Sequence, residues 1–252
     1  MTIKKPVLLA HWGDSAKEFN EIEEIQLLVS ATLYGGDQAQ QRKRAPSMSS
    51  CRMQKPEVSY FRARLRTALR RRGNIQILYL SAHGDADQFC FDNKATSSVS
   101  YKTLGEILDQ YLHADSYVHV IFGSCGAMAE KYRIEKLMPK QVYCVSGFTK
   151  EPTATDVAGH LVSVIEDDVS LFQKLSKRNS TICNGNTPLD SFSAELRRRW
   201  SAILKRHKEN PIRSVLGSGG GTLVTATRDT HGRWRRRTTA CMVASPAAGS
   251  VP

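Results

Sequence analysis

The sequence of 252 residues contains no Cys-x-x-Cys pair and no paired Cys/His spacing. Such spacings hold structural zinc, and regular cysteine spacings in small secreted chains mark disulfide frameworks. We therefore expect no metal, no other cofactor and a reducing compartment. The six cysteines are Cys51, Cys90, Cys125, Cys144, Cys183 and Cys241.

Long apolar stretches are also missing, and none could span a bilayer. The basic start at residues 1–5 is followed by an apolar run at residues 7–10, which is too short for a signal peptide. The chain has no internal repeat. We expect a cytoplasmic protein that does not insert into membranes.

Acidic residues are few: 24 Asp and Glu stand against 36 Lys and Arg, which gives a formal charge of +12. Arginines concentrate at residues 62–72, 197–199 and 233–237. Patches of this kind can bind nucleic acid or an acidic protein. A solvated helix face and an exposed hairpin explain them as well, and we favour that interpretation.

Two apolar runs, each typical of a buried strand, end on side chains that can do chemistry. The run at residues 75–82 is followed by His83 and Gly84, and the run at residues 119–122 leads to Cys125. The separation is 125 − 83 = 42 positions. Since the carboxyl ends of parallel strands share one edge of a sheet, the imidazole and the thiol are expected to meet there.

Strand and helix patterns alternate through about residue 175, which predicts a mostly parallel sheet with helices on both faces. We expect a domain at residues 1–215 and an extension with a flexible tail at residues 216–252. Other expected features are a mobile basic loop at about residues 35–56, helices at residues 57–72, 128–138 and 192–204, and a hairpin of strands at residues 222–228 and 233–242.

Cys125 is the best candidate nucleophile, because a strand end followed by a helix start favours the thiolate. His83 is the best candidate base, since an adjacent imidazole can accept the thiol proton. The backbone amides of Gly84 and Cys125 could donate hydrogen bonds to an oxyanion. His11 lies at another strand end and could touch substrate, and Asp85 and Asp87 near His83 could orient its imidazole or attract a basic side chain, but we favour structural roles for all three.

The order of apolar block, His-Gly, spacer, apolar block and Ser-Cys-Gly over about residues 5–172 resembles the caspase-like cysteine peptidases of clan CD. This clan includes legumains, gingipains, separase and CHAT-domain proteases. The resemblance implies a three-layer caspase-like fold, a His83–Cys125 dyad and peptide bonds as substrate. It is nearest to small prokaryotic caspase-like and CHAT-like proteins, which implies a setting in antiviral defence or cell death and a gasdermin-like substrate.

The sequence departs from caspases beside the candidate nucleophile. Gly123 replaces the glutamine that helps caspases read a substrate aspartate, and Ala127 replaces the second turn glycine. Aspartate specificity is therefore not expected. The resemblance further implies that Ser146, Gly147 and Phe148 pair with the substrate backbone as an added strand.

Two other functions stay open from the residues alone. One is a catalytically idle caspase-like module that binds nucleic acid or an acidic partner through its arginine-rich surfaces. The other is an amidase or transferase that uses the same thiol intermediate.

Overall fold

The structure is a computed structural model. It describes residues 5–14, 48–85, 87–92, 97–124, 127–128, 133–149, 152, 154–166, 222–229 and 231–240, and also residues 22, 23, 25, 26, 28 and 29. The strands are β1 (Val7–Trp12), β2 (Met48–Met53), β3 (Ile77–Gly84), β4 (Gln88–Cys90), β5 (Ser98–Ser100), β6 (Val118–Phe122), β7 (Val142–Phe148), β8 (Thr222–Arg228) and β9 (Trp234–Ala240). The helices are α1 (Val58–Arg72), α2 (Tyr101–Tyr111) and α3 (Ala154–Glu166), with a 3₁₀ helix at Ile134–Leu137.

The central sheet has the strand order β2-β1-β3-β6-β7-β8-β9. Strands β2, β1, β3, β6 and β7 are parallel, and β8 and β9 join antiparallel. Strand β4 pairs antiparallel with the end of β3, and β5 pairs antiparallel with β4. Strands β1, β3 and β6 are buried along almost their whole length, as expected for parallel strands covered on both faces.

Helices cover both faces of the sheet. On one face, Leu8, Leu78 and Val120 pack with apolar side chains of α1 and α2. On the other face, Leu9 and Tyr79 pack with α3 and with the buried helical residues Ile22, Ile25, Leu28 and Val29. The predicted three-layer α/β fold with a mostly parallel sheet is confirmed.

Part of the predicted mobile loop at residues 35–56 is a strand, which corrects that prediction. Strand β2 runs parallel to β1 at the edge of the sheet and buries Cys51 and Met53. Ser49, Ser50 and Arg52 interrupt its sequence, so the strand carries no continuous apolar run. Residues 35–47 of the predicted loop lie outside the described part of the chain.

The helix predicted at residues 128–138 is also different in the structure. Ala127 and Met128 lie in a turn, Ile134–Leu137 form a short 3₁₀ helix, and residues 129–132 lie outside the described part of the chain. Pro139 disfavours the helical conformation at the residue before it, so the segment ends at Met138. The carbonyl of Leu137 packs where a side chain on Gly105 of α2 would lie, which requires glycine there.

The predicted C-terminal hairpin is confirmed as β8 and β9, which extend the central sheet beyond β7. A buried carboxylate holds it: Arg236 Nη2 donates to Glu135 Oε2 at 2.7 Å, and Arg133 also binds Glu135. Burial alone would raise the pKa of Glu135, but hydrogen bonds from Arg236 and Arg133 outweigh it and lower that pKa. The division at residue 215 stays a prediction, and the predicted helix at residues 192–204 lies outside the described residues.

The helices can also be compared with the thickness of a bilayer. Among the residues that the structure describes, no helix is long and apolar enough to cross a membrane.

Candidate active site

Strands β3 and β6 bring the two predicted reactive segments to the same edge of the sheet. They pair in parallel through Leu80 and Phe122, and the N–H of Gly123 donates to the carbonyl of Leu80 at 2.8 Å. His83 lies near the end of β3 and is half-buried. The sheet therefore directs both segments toward one rim.

Gly84 packs closely against the side chain of Ser124 at this rim. A Cβ atom on Gly84 would stand 2.9 Å from Cβ of Ser124 and 2.9 Å from the carbonyl oxygen of Gln88, so only glycine fits. His83 precedes Gly84, and Cys125 follows Ser124. Neighbouring Cα atoms are about 3.8 Å apart, so residues 83 and 125 each lie one residue from this contact. Cys125 and Gly126 themselves are outside the described residues.

Tyr101, the first residue of α2, joins the two segments by hydrogen bonds. Its buried hydroxyl donates to the carbonyl of Asp85 at 3.1 Å and lies 3.0 Å from Oγ of Ser124. Because the tyrosine proton goes to that carbonyl, the serine hydroxyl is the donor in the second bond. Tyr101 is not among the residues predicted from the sequence, and no motif indicates a role for it.

The carboxylate of Asp85 shapes the turn between β3 and β4. Its Oδ1 atom accepts the N–H of Asp87 at 2.8 Å and the N–H of Gln88 at 3.0 Å. Such local bonds to the backbone are typical of an Asx turn. This geometry agrees with the structural role that we favour for Asp85.

A second thiol lies close to His83. Cys90 is its direct partner in the antiparallel pairing of β3 and β4, and the thiol is buried. Burial, together with the charges of Asp85 and Asp92, raises the pKa of Cys90. A protonated thiol is a weak nucleophile, so this site does not activate Cys90.

His11 lies in β1 beside β3 and is buried. Its Nδ1 atom is 3.2 Å from the hydroxyl oxygen of Ser81, its register partner on β3. This contact satisfies the imidazole within the sheet and agrees with the structural role favoured from the sequence.

Gly123 is glycine because Tyr79 fills the space beside it. A Cβ atom on Gly123 would overlap the hydroxyl and ring of Tyr79, whose side chain is fully buried. The departure from the caspase glutamine therefore has a packing cause in this chain.

The predicted substrate-pairing role of Ser146, Gly147 and Phe148 does not fit their surroundings. Strand β7 pairs with β6 on one side and β8 on the other, so neither edge is open to an added strand. Ser146 and Phe148 are buried, and Gly147 packs against Met128. The hairpin of β8 and β9 occupies the edge of β7 that the resemblance assigns to substrate.

Ser146 instead belongs to a buried polar cluster beneath α3. Its Oγ atom is 2.7 Å from Nε2 of His119 and 2.7 Å from Nε2 of His160. A hydroxyl donates one hydrogen bond and accepts another, so one imidazole donates at Nε2 and the other accepts. The sulfur of Cys144 lies 3.4 Å from Nε2 of His119.

His119 and Cys144 are a histidine–cysteine pair with the residue types of a dyad, but their environment keeps both neutral. They are 4% and 3% exposed. Burial raises the pKa of Cys144 to about 12, and burial with the neighbouring His160 lowers the pKa of His119 well below its usual value. Because the thiol stays protonated and both side chains are buried, this pair serves packing.

The buried histidines predict a loss of stability in acid. Burial lowers the pKa of His160 to about 4, whereas an unfolded histidine titrates near 6.5. The unfolded chain therefore binds more protons between these values, and stability falls as the pH falls from about 6.5 to about 4. We expect His160→Gln to lose less unfolding free energy over that interval than the wild type, by on the order of 2–3 kcal/mol.

Urea unfolding at pH 7 and pH 4.5 measures this difference. His113→Gln, at an exposed position, is the matched control and should follow the wild type. Equal acid sensitivity of His160→Gln and the wild type would contradict a neutral buried imidazole.

Metal-binding side chains do not gather in the described part of the chain. No group of three or more His, Cys, Asp or Glu residues there could hold an ion. Cys51, Cys90 and Cys144 are free and buried.

The comparisons with known proteins find likeness in structure alone. No protein-family model matches the chain, and no curated protein sequence does. A secreted C11 cysteine protease from Bacteroides thetaiotaomicron, called iotapain, aligns with a TM-score of 0.52 at 8% identity over 89% of this chain. This chain spans 66% of that protein, just under two thirds. A protein from Geobacter sulfurreducens aligns over 70% of this chain and 89% of its own, at 12% identity and a TM-score of 0.37.

These findings define the fold class of the protein. The mostly parallel sheet, its two helical layers and the likeness to iotapain make the fold caspase-like. At 8% identity the likeness concerns architecture and not activity. This likeness supports a caspase-like fold but not membership of the small prokaryotic caspase-like and CHAT-like group that the sequence resembles.

Proposed function

We propose that the protein is a cysteine endopeptidase that hydrolyses peptide bonds through His83 and Cys125. The observation that carries this proposal is the contact between Gly84 and Ser124, the residues next to the two candidates. The fold supports it, since ligands of open α/β sheets bind beyond the carboxyl ends of the strands. The fold neighbour iotapain, itself a cysteine protease, also supports it.

In the first chemical step the Cys125 thiolate attacks the carbonyl carbon of the scissile bond. A C–S bond forms, and the carbonyl oxygen takes the electron pair as an oxyanion. The His83 imidazolium then protonates the leaving nitrogen, the C–N bond breaks and a thioester remains. In the second step His83 accepts a proton from water, and the hydroxide displaces Cys125 from the acyl group.

The direction of the Gly84 amide supports its assignment as an oxyanion donor. Leu80 directs its carbonyl toward β6, where it accepts from Gly123. The backbone N–H and C=O groups of successive residues point to alternate sides of a strand. Those of Gly84 therefore point to the same side as those of Leu80, four residues earlier. The backbone N–H of the next residue, Asp85, donates to the carbonyl oxygen of Gln88 on the opposite side of the strand, which agrees with this alternation. The N–H of Gly84 is therefore directed toward the segment that leads to Cys125.

The finer parts of the function stay predictions that depend on the sequence resemblance. They are a cytoplasmic location, a prokaryotic antiviral or cell-death setting and a gasdermin-like protein as substrate. Co-incubation of wild type and Cys125→Ala with a candidate gasdermin-like protein would test the last. Cleavage by wild type alone is the expected result.

A peptide-library cleavage profile of wild type beside Cys125→Ala tests the activity without knowledge of the substrate. We expect sequence-selective cleavage by wild type and none by the variant. An amidase or transferase would leave internal peptide bonds intact while it releases or transfers small acyl groups. Equal cleavage by both chains would refute the proposal.

Tyr101 is expected to be a positioning residue for the dyad. Tyr101→Phe removes the bonds to Asp85 and Ser124 while the ring keeps its edge contact with Phe122. Small displacements of reacting groups are costly, so kcat should fall roughly 10-fold or more with KM little changed. Steady-state kinetics with Tyr117→Phe, an exposed tyrosine, as control checks this. A rise in KM at constant kcat would assign Tyr101 to substrate binding instead.

A further inference from the structure

Helix α1 carries a surface that the proposed peptidase chemistry does not use. Five of its arginines are exposed, and none of the five forms an ion pair with a carboxylate in the described part of the chain. The helix itself contains no acidic residue. These arginines are Arg62, Arg64, Arg66, Arg70 and Arg71.

Three of the five form a row along one side of the helix. Arg62, Arg66 and Arg70 are spaced four residues apart, so their side chains are neighbours on the same face. Each step advances about 6 Å along the helix axis. A row of guanidinium groups at this spacing, with no carboxylate partner among the described residues, suits a ligand with regularly repeated negative charges.

The neighbouring helix supplies an aromatic surface beside this row. The guanidinium carbons of Arg66 and Arg70 lie 5.6 and 5.7 Å from the centre of the Tyr111 ring, at the end of α2. A shallow groove of about 380 Å³ separates the two helices and is lined by Val58, Ser59, Arg62, Ala63, Arg66 and Tyr111. The sequence of α1 places no aromatic residue between these arginines, and the fold brings the half-buried Tyr111 of α2 beside them.

We propose that the α1–α2 groove binds single-stranded nucleic acid. Arg62, Arg66 and Arg70 bind successive phosphates, because a guanidinium matches phosphate geometry with two parallel hydrogen bonds. A base packs against Tyr111 and the apolar floor of the groove, as in other single-strand sites that combine cations with aromatic rings. An acidic peptide would use the charges but would leave this floor without a partner.

Fluorescence anisotropy with labelled oligo(dT) of about 20 nucleotides tests the proposal, with the matching duplex and polyglutamate as competitors. We expect oligo(dT) to bind most tightly and its affinity to fall steeply with salt, since about three phosphates are neutralised. Arg62→Ala/Arg66→Ala should weaken binding at least roughly 10-fold and flatten the salt dependence.

The control pair Lys140→Ala/Arg237→Ala removes the same charge from exposed positions away from α1, Arg237 lying on the opposite edge strand β9. It should weaken binding less than about twofold if the site is local. Tyr111→Leu should weaken oligo(dT) roughly 5-fold or more and leave polyglutamate unaffected.

If Arg62→Ala/Arg66→Ala and Lys140→Ala/Arg237→Ala weakened oligo(dT) binding equally, the binding would arise from diffuse surface charge and not from a site on α1. Tighter binding of polyglutamate than of oligo(dT) would assign the groove to an acidic protein. Absence of oligo(dT) binding at low salt would overturn the proposal. All three outcomes are independent of peptidase activity, so failure here leaves the His83–Cys125 proposal intact.

Discussion

Cys125→Ala is expected to abolish peptide cleavage, and His83→Ala to lower kcat/KM by roughly 10²–10⁴-fold, the usual contribution of a general acid–base. In the proposed mechanism the sulfur of Cys125 forms the thioester, so its loss leaves no nucleophile for that step. His83 transfers the proton in the same mechanism, and water does so only slowly. Steady-state cleavage of a selected peptide, with thermal melting of each variant, measures both effects.

Cys90→Ala is the informative control, because Cys90 lies directly across from His83. Its pKa is raised, so its loss should change kcat/KM by less than about twofold. If Cys90→Ala removed activity while Cys125→Ala retained it, the dyad would have to be reassigned to the other thiol. Melting temperatures unchanged from wild type exclude unfolding as the cause.

Gly123→Gln, which restores the residue that caspases carry, is expected to destabilise the fold strongly. Any Cβ at this position overlaps the hydroxyl and ring of the buried Tyr79. Overpacking of a core costs about 1–3 kcal/mol and occasionally more. We expect a loss of about 1–3 kcal/mol in unfolding free energy, measured by urea denaturation.

A double-mutant cycle separates this overlap from other causes. Gly123→Ala and Tyr79→Leu are each destabilising alone, but the smaller leucine opens space beside residue 123. The two should therefore couple favourably by at least about 1 kcal/mol. Strictly additive losses would show that Tyr79 does not exclude a side chain there.

Much of the layout could be predicted because it depends on local patterns. The apolar runs before His83 and Cys125 predict parallel strands, and parallel strands place their carboxyl ends on one edge. The C-terminal hairpin could be predicted from its turn residues, and Gly232 adopts a positive φ of 74° in that turn. Strand β2 could not be predicted, because the sequence Met-Ser-Ser-Cys-Arg-Met of this edge strand has neither an apolar run nor a regular alternation of polar and apolar residues.

What the sequence concealed depends on contacts between distant segments. No pattern near Tyr101 indicates that its hydroxyl joins Asp85 to Ser124. The pairing of β8 with β7 was equally hidden, because an antiparallel hairpin can dock on either edge of a sheet. That docking is the reason why Ser146, Gly147 and Phe148 cannot pair with substrate.

The central claim is that His83 and Cys125 meet at the ends of β3 and β6, and cysteine alkylation against pH tests it without a substrate. Mass spectrometry after brief iodoacetamide treatment reports the rate at each cysteine. We predict that Cys125 reacts fastest, with a midpoint below the usual thiol value of about 8.5, and that His83→Ala raises this midpoint. An identical profile in wild type and His83→Ala, or a Cys125 as unreactive as the buried Cys144, would contradict the account.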